Sequence, residues 1–194
     1  MIVCTPHVSS DRFTFTMLST LLTVCGLVAS GMAACPDIPS LEVFEAAQYA
    51  GHWYEIQRYP LIGEVGETCV QTNYTLQADG SVRLENRGRK PDGVIDSITG
   101  TARAEDPAHP AELSVLFDEG FQGSYNVIRT DYSASALVYT CTPLGDIILE
   151  NAWFLSREPT MDQAVQDEYT RILADAGSDI SQLSVTPQDC GSLF

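Results

Sequence analysis

Along most of this chain, short segments in which apolar and polar positions alternate with a period of two are separated by glycine, proline and aspartate turn signals. These segments predict eight strands: Gly51 to Arg58, Cys69 to Gln77, Val82 to Arg89, Val94 to Ala104, Leu113 to Phe117, Ser124 to Thr130, Ala136 to Cys141 and Ile147 to Ser156. Asp79-Gly80 and Asp92-Gly93 are hairpin signals, and Asp106-Pro107, Asp131-Tyr132 and Pro143-Leu144-Gly145 mark further short reversals. Consecutive hairpins imply an up-and-down meander. Eight such strands lose both edges by closing on themselves, whereas an open sheet of that size leaves its edges free to aggregate. The expected class is therefore all-β, an eight-stranded antiparallel up-and-down β-barrel.

A helical period appears late. Thr160 can cap, Gln163 sits at the capping-box position, and Val165, Tyr169, Ile172 and Leu173 form one stripe before Gly177. This predicts one C-terminal α-helix packed outside the barrel. Leu41 to Tyr49 carries enough apolar pattern for a single helical turn, placed to plug the barrel ahead of its first strand. Leu61 to Thr68, with Gly63 and Gly66, is the longest loop and lies where it can cover a barrel mouth.

Alternation also assigns sides. Asn73-Tyr74-Thr75 is the only N-x-S/T acceptor, and a glycan on Asn73 can be carried only outward. Thr72, Tyr74 and Leu76 then face inward, and Cys69 shares the outward parity of Asn73. The same rule turns Val82, Leu84, Asn86 and Gly88 inward, followed by Leu113, Val115 and Phe117, by Ala136, Val138 and Thr140, and by Asn151, Trp153 and Leu155. Cys141 faces outward, and Arg129 is left unassigned. The lining is apolar and aromatic with a few neutral polar groups, so it suits a small hydrophobic ligand held by a handful of hydrogen bonds. The candidate contacts are Tyr74, Leu84, Asn86, Val115, Phe117, Tyr125, Val127, Val138, Trp153 and Leu155. The same residues would equally fill a solid barrel, since eight-stranded barrels occur both packed and hollow.

Composition narrows the compartment and the partners. Leu18 to Ala34 is an uncharged apolar run ending in Gly31-Met32-Ala33-Ala34, a pattern that reads as a signal-peptide core and cleavage site over residues 1–34. Met1 to Thr16 is long for such a leader and Asp11 offsets Arg12, so Met17 is a candidate true start. The mature domain, residues 35–194, keeps Cys35, Cys69, Cys141 and Cys190, an even number that suits an oxidising compartment and allows three pairings. No CxxC spacing points to zinc. Met32-Ala33-Ala34-Cys35 also reads as a bacterial lipoprotein box, in which Cys35 would carry lipid.

A net charge of -16 argues against nucleic acid and anionic membrane surfaces, and the scattered acidic residues lack metal-ligand spacing. No metal or cofactor is expected. Of the three histidines, His7 lies in the leader, His52 points away from Trp53 and His109 sits between prolines in a loop. No G-x-S-x-G motif occurs, so no catalytic residue is assigned and no enzymatic activity is expected.

Three dispersed motifs resemble the lipocalins: Gly51-x-Trp53 opening the first strand, Thr130-Asp131-Tyr132 between the sixth and seventh, and Arg157 just after the eighth. The resemblance implies that Arg157 packs across the Trp53 ring at the closed end of the barrel. Gly51-His52-Trp53-Tyr54-Glu55-Ile56, Gln71-Thr72-Asn73-Tyr74-Thr75-Leu76, Ala136-Leu137-Val138-Tyr139-Thr140-Cys141 and Ala152-Trp153 are similar to the apolipoprotein D branch, which includes insect bilin-binding proteins. That branch implies disulfides Cys35 to Cys141 and Cys69 to Cys190, a glycan at Asn73, and pocket contacts at Tyr74, Asn86 and Trp153. The family's prostaglandin-isomerising members use an inward thiol, which this chain lacks if its four cysteines pair.

The expectation is a secreted monomer or weak oligomer carrying a fatty acid, steroid, retinoid, carotenoid or bilin, with receptor or lipoprotein-particle contact as a further partner class. Gly123-Ser124-Tyr125-Asn126-Val127-Ile128 is also similar to bacterial outer-membrane lipocalins. The alternative is therefore a lipid-anchored lipoprotein in envelope lipid storage or repair. A third class is an interaction protein whose filled barrel only presents loops.

Overall fold

The computed structural model describes residues 34–190, 193 and 194. The expected leader, with Cys4, Cys25 and the start at Met17, lies outside the described residues. A short helix α1 (Ala46–Tyr49) leads into strands β1 (Gly51–Arg58), β2 (Thr68–Leu76), β3 (Val82–Arg89), β4 (Ile95–Ala104), β5 (Glu112–Phe117), β6 (Gln122–Thr130), β7 (Ser135–Leu144) and β8 (Ile147–Ser156). A helix α2 (Gln163–Asp175) and a two-residue strand β9 (Ser184–Val185) complete the chain. Neighbours pair antiparallel in sequence order, and β1 pairs with both β8 and β2, so the eight-stranded barrel is closed.

The closure is uneven. β1 meets β2 only from Gly51 to Tyr54, opposite Tyr74 to Gln71. Beyond that point β1 bulges between Glu55 and Gln57, and β2 bulges between Thr68 and Gln71, where Cys69 adopts φ 60°. The C-terminal segment fills the seam. β9 pairs with Gln57 and Arg58, the Cys69 amide donates to the Pro187 carbonyl, and Gln188 Nε2 donates to the carbonyls of Glu55 and Val70. The Cys69–Cys190 disulfide pins this patch, and Cys35–Cys141 pins the N-terminal lead-in to β7. β9 was not anticipated, because two residues carry no periodicity.

The strands present one side to the barrel interior and, over β6 to β8, the other side to α2. Trp53, Tyr74, Leu84, Val115, Val127, Val138 and Leu155 form the inner core. Ile128, Leu137, Tyr139, Ala152 and Phe154 form an outer core with Tyr169 and Leu173 of the helix. A β6 bulge between Val127 and Arg129 places Arg129 opposite Leu137, on the outer face.

Three local expectations are corrected. Asp162, not Thr160, caps α2: its carboxylate accepts from the Ala164 amide, while the Thr160 carbonyl is taken by the Ser156 hydroxyl. Gln163, expected at the capping-box position, is the first helical residue and donates to Asp167. Leu76, expected inside, is 41% exposed because β2 ends there beyond the core. Cys69 lies in the outer seam yet is fully buried, because the bulge folds it beneath the C-terminal segment.

Candidate functional site: a half-hollow calyx

The interior divides into a solid floor and a hollow upper half. At the floor, Trp53 is fully buried and its indole N–H donates to the Tyr49 carbonyl at 2.8 Å. Arg157 lies across the indole, its guanidinium carbon 3.7 Å from the ring centroid, a cation–π contact contributing about 1–2 kcal/mol when partly desolvated. The same guanidinium donates to five backbone carbonyls, those of Gln48, Tyr49, Ala50, His52 and Tyr132. It therefore ties α1, β1 and the β6–β7 turn into one unit. Gly51 is required at this crossing: its φ is +101°, and a Cβ there would sit 3.3 Å from an Arg157 nitrogen.

The turn beneath is held by its own residues. The Thr130 hydroxyl donates to the Ser135 carbonyl, and the Asp131 carboxylate accepts from the amides of Ser133, Ala134 and Ser135. Phe44 and Tyr49 plug the floor from below, leaving a void of only about 10 Å³ beside Tyr74 and Tyr125.

Three phenols roof this floor. The hydroxyls of Tyr49 and Tyr125 lie 2.7 Å apart, and Tyr74 donates to Tyr125 at 2.8 Å. Burial pushes all three phenols up, Tyr74 to about 12, so they remain neutral donors and acceptors at physiological pH.

Above the phenols lies a cavity of about 590 Å³, within the usual size of ligand pockets. Of the ten candidate contacts, the structure brings Tyr74, Leu84, Asn86, Val115, Phe117, Tyr125, Trp153 and Leu155 to this cavity. Val127 and Val138 are not on it. They are fully buried opposite each other within the inner core, Val138 also pairing with Trp153. Parity selected the correct face but not how closely each residue on it is packed. Asn86 is partly engaged, since its side-chain oxygen accepts from Thr72.

The cavity also contains residues that were not anticipated as contacts. Ile98 and Asp96 of β4 line it because they pair with Asn86 and Gly88, a relation readable from register but not from β4 alone. Thr140 and Asn151 face each other across β7 and β8. Most consequential are Glu55, Glu64 and Glu67. Glu55 shares the inward parity of Trp53, so its position was legible; Glu64 and Glu67 sit on the β1–β2 loop, where no period exists.

These carboxyls surround one guanidinium. Arg58 donates to the Glu55 carboxylate, which also accepts from the Thr186 hydroxyl, and both residues are buried. Glu64 Oε2 makes no hydrogen bond and lies 3.6 Å from Arg58 Nε. Burial, and then the adjacent Glu55, push the Glu64 carboxyl up to about 8 against the pull of Arg58. Glu67 is raised by burial and by Asp96. Its carboxylate lies over Gly88, with Oε2 2.5 Å from where a Cβ would stand. Among the described residues, the only group of His, Cys, Asp or Glu side chains spaced to hold a metal ion is Cys69, Asp189 and Cys190, and two of its three sulfur or oxygen donors are consumed in a disulfide.

Comparison with known proteins agrees with this architecture. A lipocalin-like domain profile matches residues 44–188. Apolipoprotein D of Mus musculus is 33% identical over 181 residues, covering 89% of this chain and 95% of its own. The outer membrane lipoprotein Blc of Escherichia coli K12 is 36% identical over 141 residues, covering 72% and 76%. The structure of insecticyanin from the tobacco hornworm Manduca sexta superposes with a TM-score of 0.69 at 21% identity, covering 80% of this chain and 87% of that one, and thus shares the fold.

Proposed function

Since this chain belongs to the lipocalin family, we propose that it is a secreted carrier that holds a small hydrophobic molecule in its calyx. The observation that carries the reading is the cavity of about 590 Å³ lined by Leu84, Val115, Phe117, Trp153 and Leu155. Burying a ligand's apolar surface there contributes roughly 25 cal/mol per Å², and a solid barrel would have no such surface to offer. Steroids, retinoids, carotenoids, bilins and fatty acids are the candidate classes by size and apolar character.

Secretion is supported by two disulfides, which persist in oxidising compartments. The Cys35–Cys141 bond occupies the sulfur that an N-terminal lipid would need, which favours the soluble carrier over the anchored envelope lipoprotein despite the likeness to Blc. Cleavage before Cys35 and a glycan on outward-facing Asn73 belong to the same reading.

The test is saturable uptake. Purified protein titrated with a panel of these ligands is expected to show quenching of Trp153 fluorescence, and Trp153→Ala is expected to weaken binding about tenfold, the equivalent of one stacked apolar contact. No saturable binding across the panel would refute the carrier. Intact mass of the mature N-terminus separates the two locations: acyl chains on Cys35 refute secretion.

A further inference from the structure

The upper cavity is asymmetric in charge. Four carboxyl groups line it, those of Glu55, Glu64, Glu67 and Asp96. Two cations answer them from beside the cavity: Arg58 pairs with Glu55 and, at 3.6 Å, with Glu64, and Lys90 pairs with Asp96. The one cationic residue on the lining, Arg87, belongs to the outer face of β3, where its guanidinium donates to Glu85 and to the Leu193 carbonyl and lies over the Phe194 ring. Four carboxyls thus face two cations, with Glu55 and Glu64 sharing Arg58 and, among the described residues, no ion pair formed by Glu67.

A second observation is independent of this count. Among the described residues, two buried side-chain polar atoms have no hydrogen-bond partner, Glu64 Oε2 and Asn151 Oδ1, and both residues line this cavity. Buried acceptors without donors are costly, and native proteins rarely retain them unless something else supplies the hydrogen. The carboxyls are also not spaced as a metal cage. The missing donor is thus one that can reach between the β1–β2 loop and β8 while remaining joined to an apolar body.

We propose that the upper cavity is a subsite for a protonated amine, so that the ligand is an amphipathic organic cation whose apolar part lies on Phe117 and Trp153 and whose ammonium end meets Glu64, Glu67 and the Asn151 amide. This rests on the carrier reading and narrows it, since a fatty carboxylate would enter beside carboxyl groups with no cation free to receive it. An ammonium has three donors and no acceptor, which matches a lining whose unmet groups are acceptors. Glu64, held protonated in the empty cavity by burial and by Glu55, would release its proton as the cation arrives. The groups facing it are Glu55 and Arg58 of β1 and Glu67 of its own loop.

The experiment compares dodecylamine, dodecanol and dodecanoate at submicellar concentrations in about 0.15 M salt, where surface attraction is screened beyond roughly 8 Å. The readout is Trp fluorescence. Dodecylamine is expected to bind at least about tenfold more tightly than dodecanoate, and Glu64→Gln with Glu67→Gln is expected to bring the two within about threefold. Circular dichroism checks that the double variant retains its strands, and Glu67→Gln alone gives a smaller shift in the same direction if it does not. The inference is overturned if dodecanoate binds as tightly as the amine, or if the double variant leaves the preference unchanged, which would assign it to the overall negative charge. Uptake of dodecanol in either case leaves the carrier intact. If none of the three binds, both readings fall.

Discussion

The lower and upper halves of this barrel are built from the same eight strands and the same inward alternation, yet one is solid and the other hollow. In the lower half, among the described residues, no buried side-chain nitrogen or oxygen lacks a partner: Trp53 donates to Tyr49, and Arg157 meets five carbonyls. In the upper half Glu64 and Asn151 each keep a side-chain oxygen without a hydrogen bond, and the lining encloses a cavity of about 590 Å³. The difference lies in what enters from each end. The lead-in drives Phe44 and Tyr49 into the floor, whereas the β1–β2 loop lies over the top without filling it. Stability is concentrated where packing is complete, and binding capacity where it is not.

Substitutions on either side of the Tyr74–Tyr125 boundary test this division. The largest effect is expected from Trp53→Ala, which removes a fully buried indole and the surface on which Arg157 lies. It should lower unfolding free energy by about 3–5 kcal/mol in a urea titration. An unchanged midpoint would mean that the floor is not the stabilising half.

Replacing both Cys69 and Cys190 with alanine should cost roughly 2–5 kcal/mol, because the bond closes a loop spanning 121 residues and holds the seam between β1 and β2. Gly51→Ala should cost about 1–3 kcal/mol through its positive φ and the Arg157 contact, measurable as a lowered melting temperature. Trp153→Ala should do the reverse, costing under about 1.5 kcal/mol of stability at a half-buried site while reducing affinity. Comparable stability losses for Trp53→Ala and Trp153→Ala would erase the distinction between the halves.

The smallest effect is a slope with pH. Glu64 holds its proton in the folded state up to about 8 but loses it near 4.5 when unfolded, so between those values the native state binds more protons. Its contribution to stability is therefore fully present below pH 4.5 and is lost as pH rises toward 8. Melting temperatures across this window should fall less steeply for Glu64→Gln than for the wild type.

What the sequence determined by itself was whatever local chemistry dictates. Period-two alternation and Asp-Gly turns specify a meander whose edges must close, and parity assigns Trp53, Tyr74 and Leu84 to the inside. Gly51, Trp53 and Arg157 marked the floor through their likeness to a known family, although neither the five carbonyls nor the 3.7 Å approach has any trace in the sequence. Parity, however, names a face and not how tightly each residue on it is packed. It grouped Val127 and Val138 with Trp153, which pairs with Val138, yet the two valines are fully packed while Trp153 lines the cavity. The ninth strand and the cover over the Cys69 bulge come from residues 184–190, which return to a gap between β1 and β2. Such contacts join segments more than a hundred residues apart, and no local pattern reports them. The barrel is thus a property of neighbouring residues, and the closing of its seam a property of distant segments that meet across it.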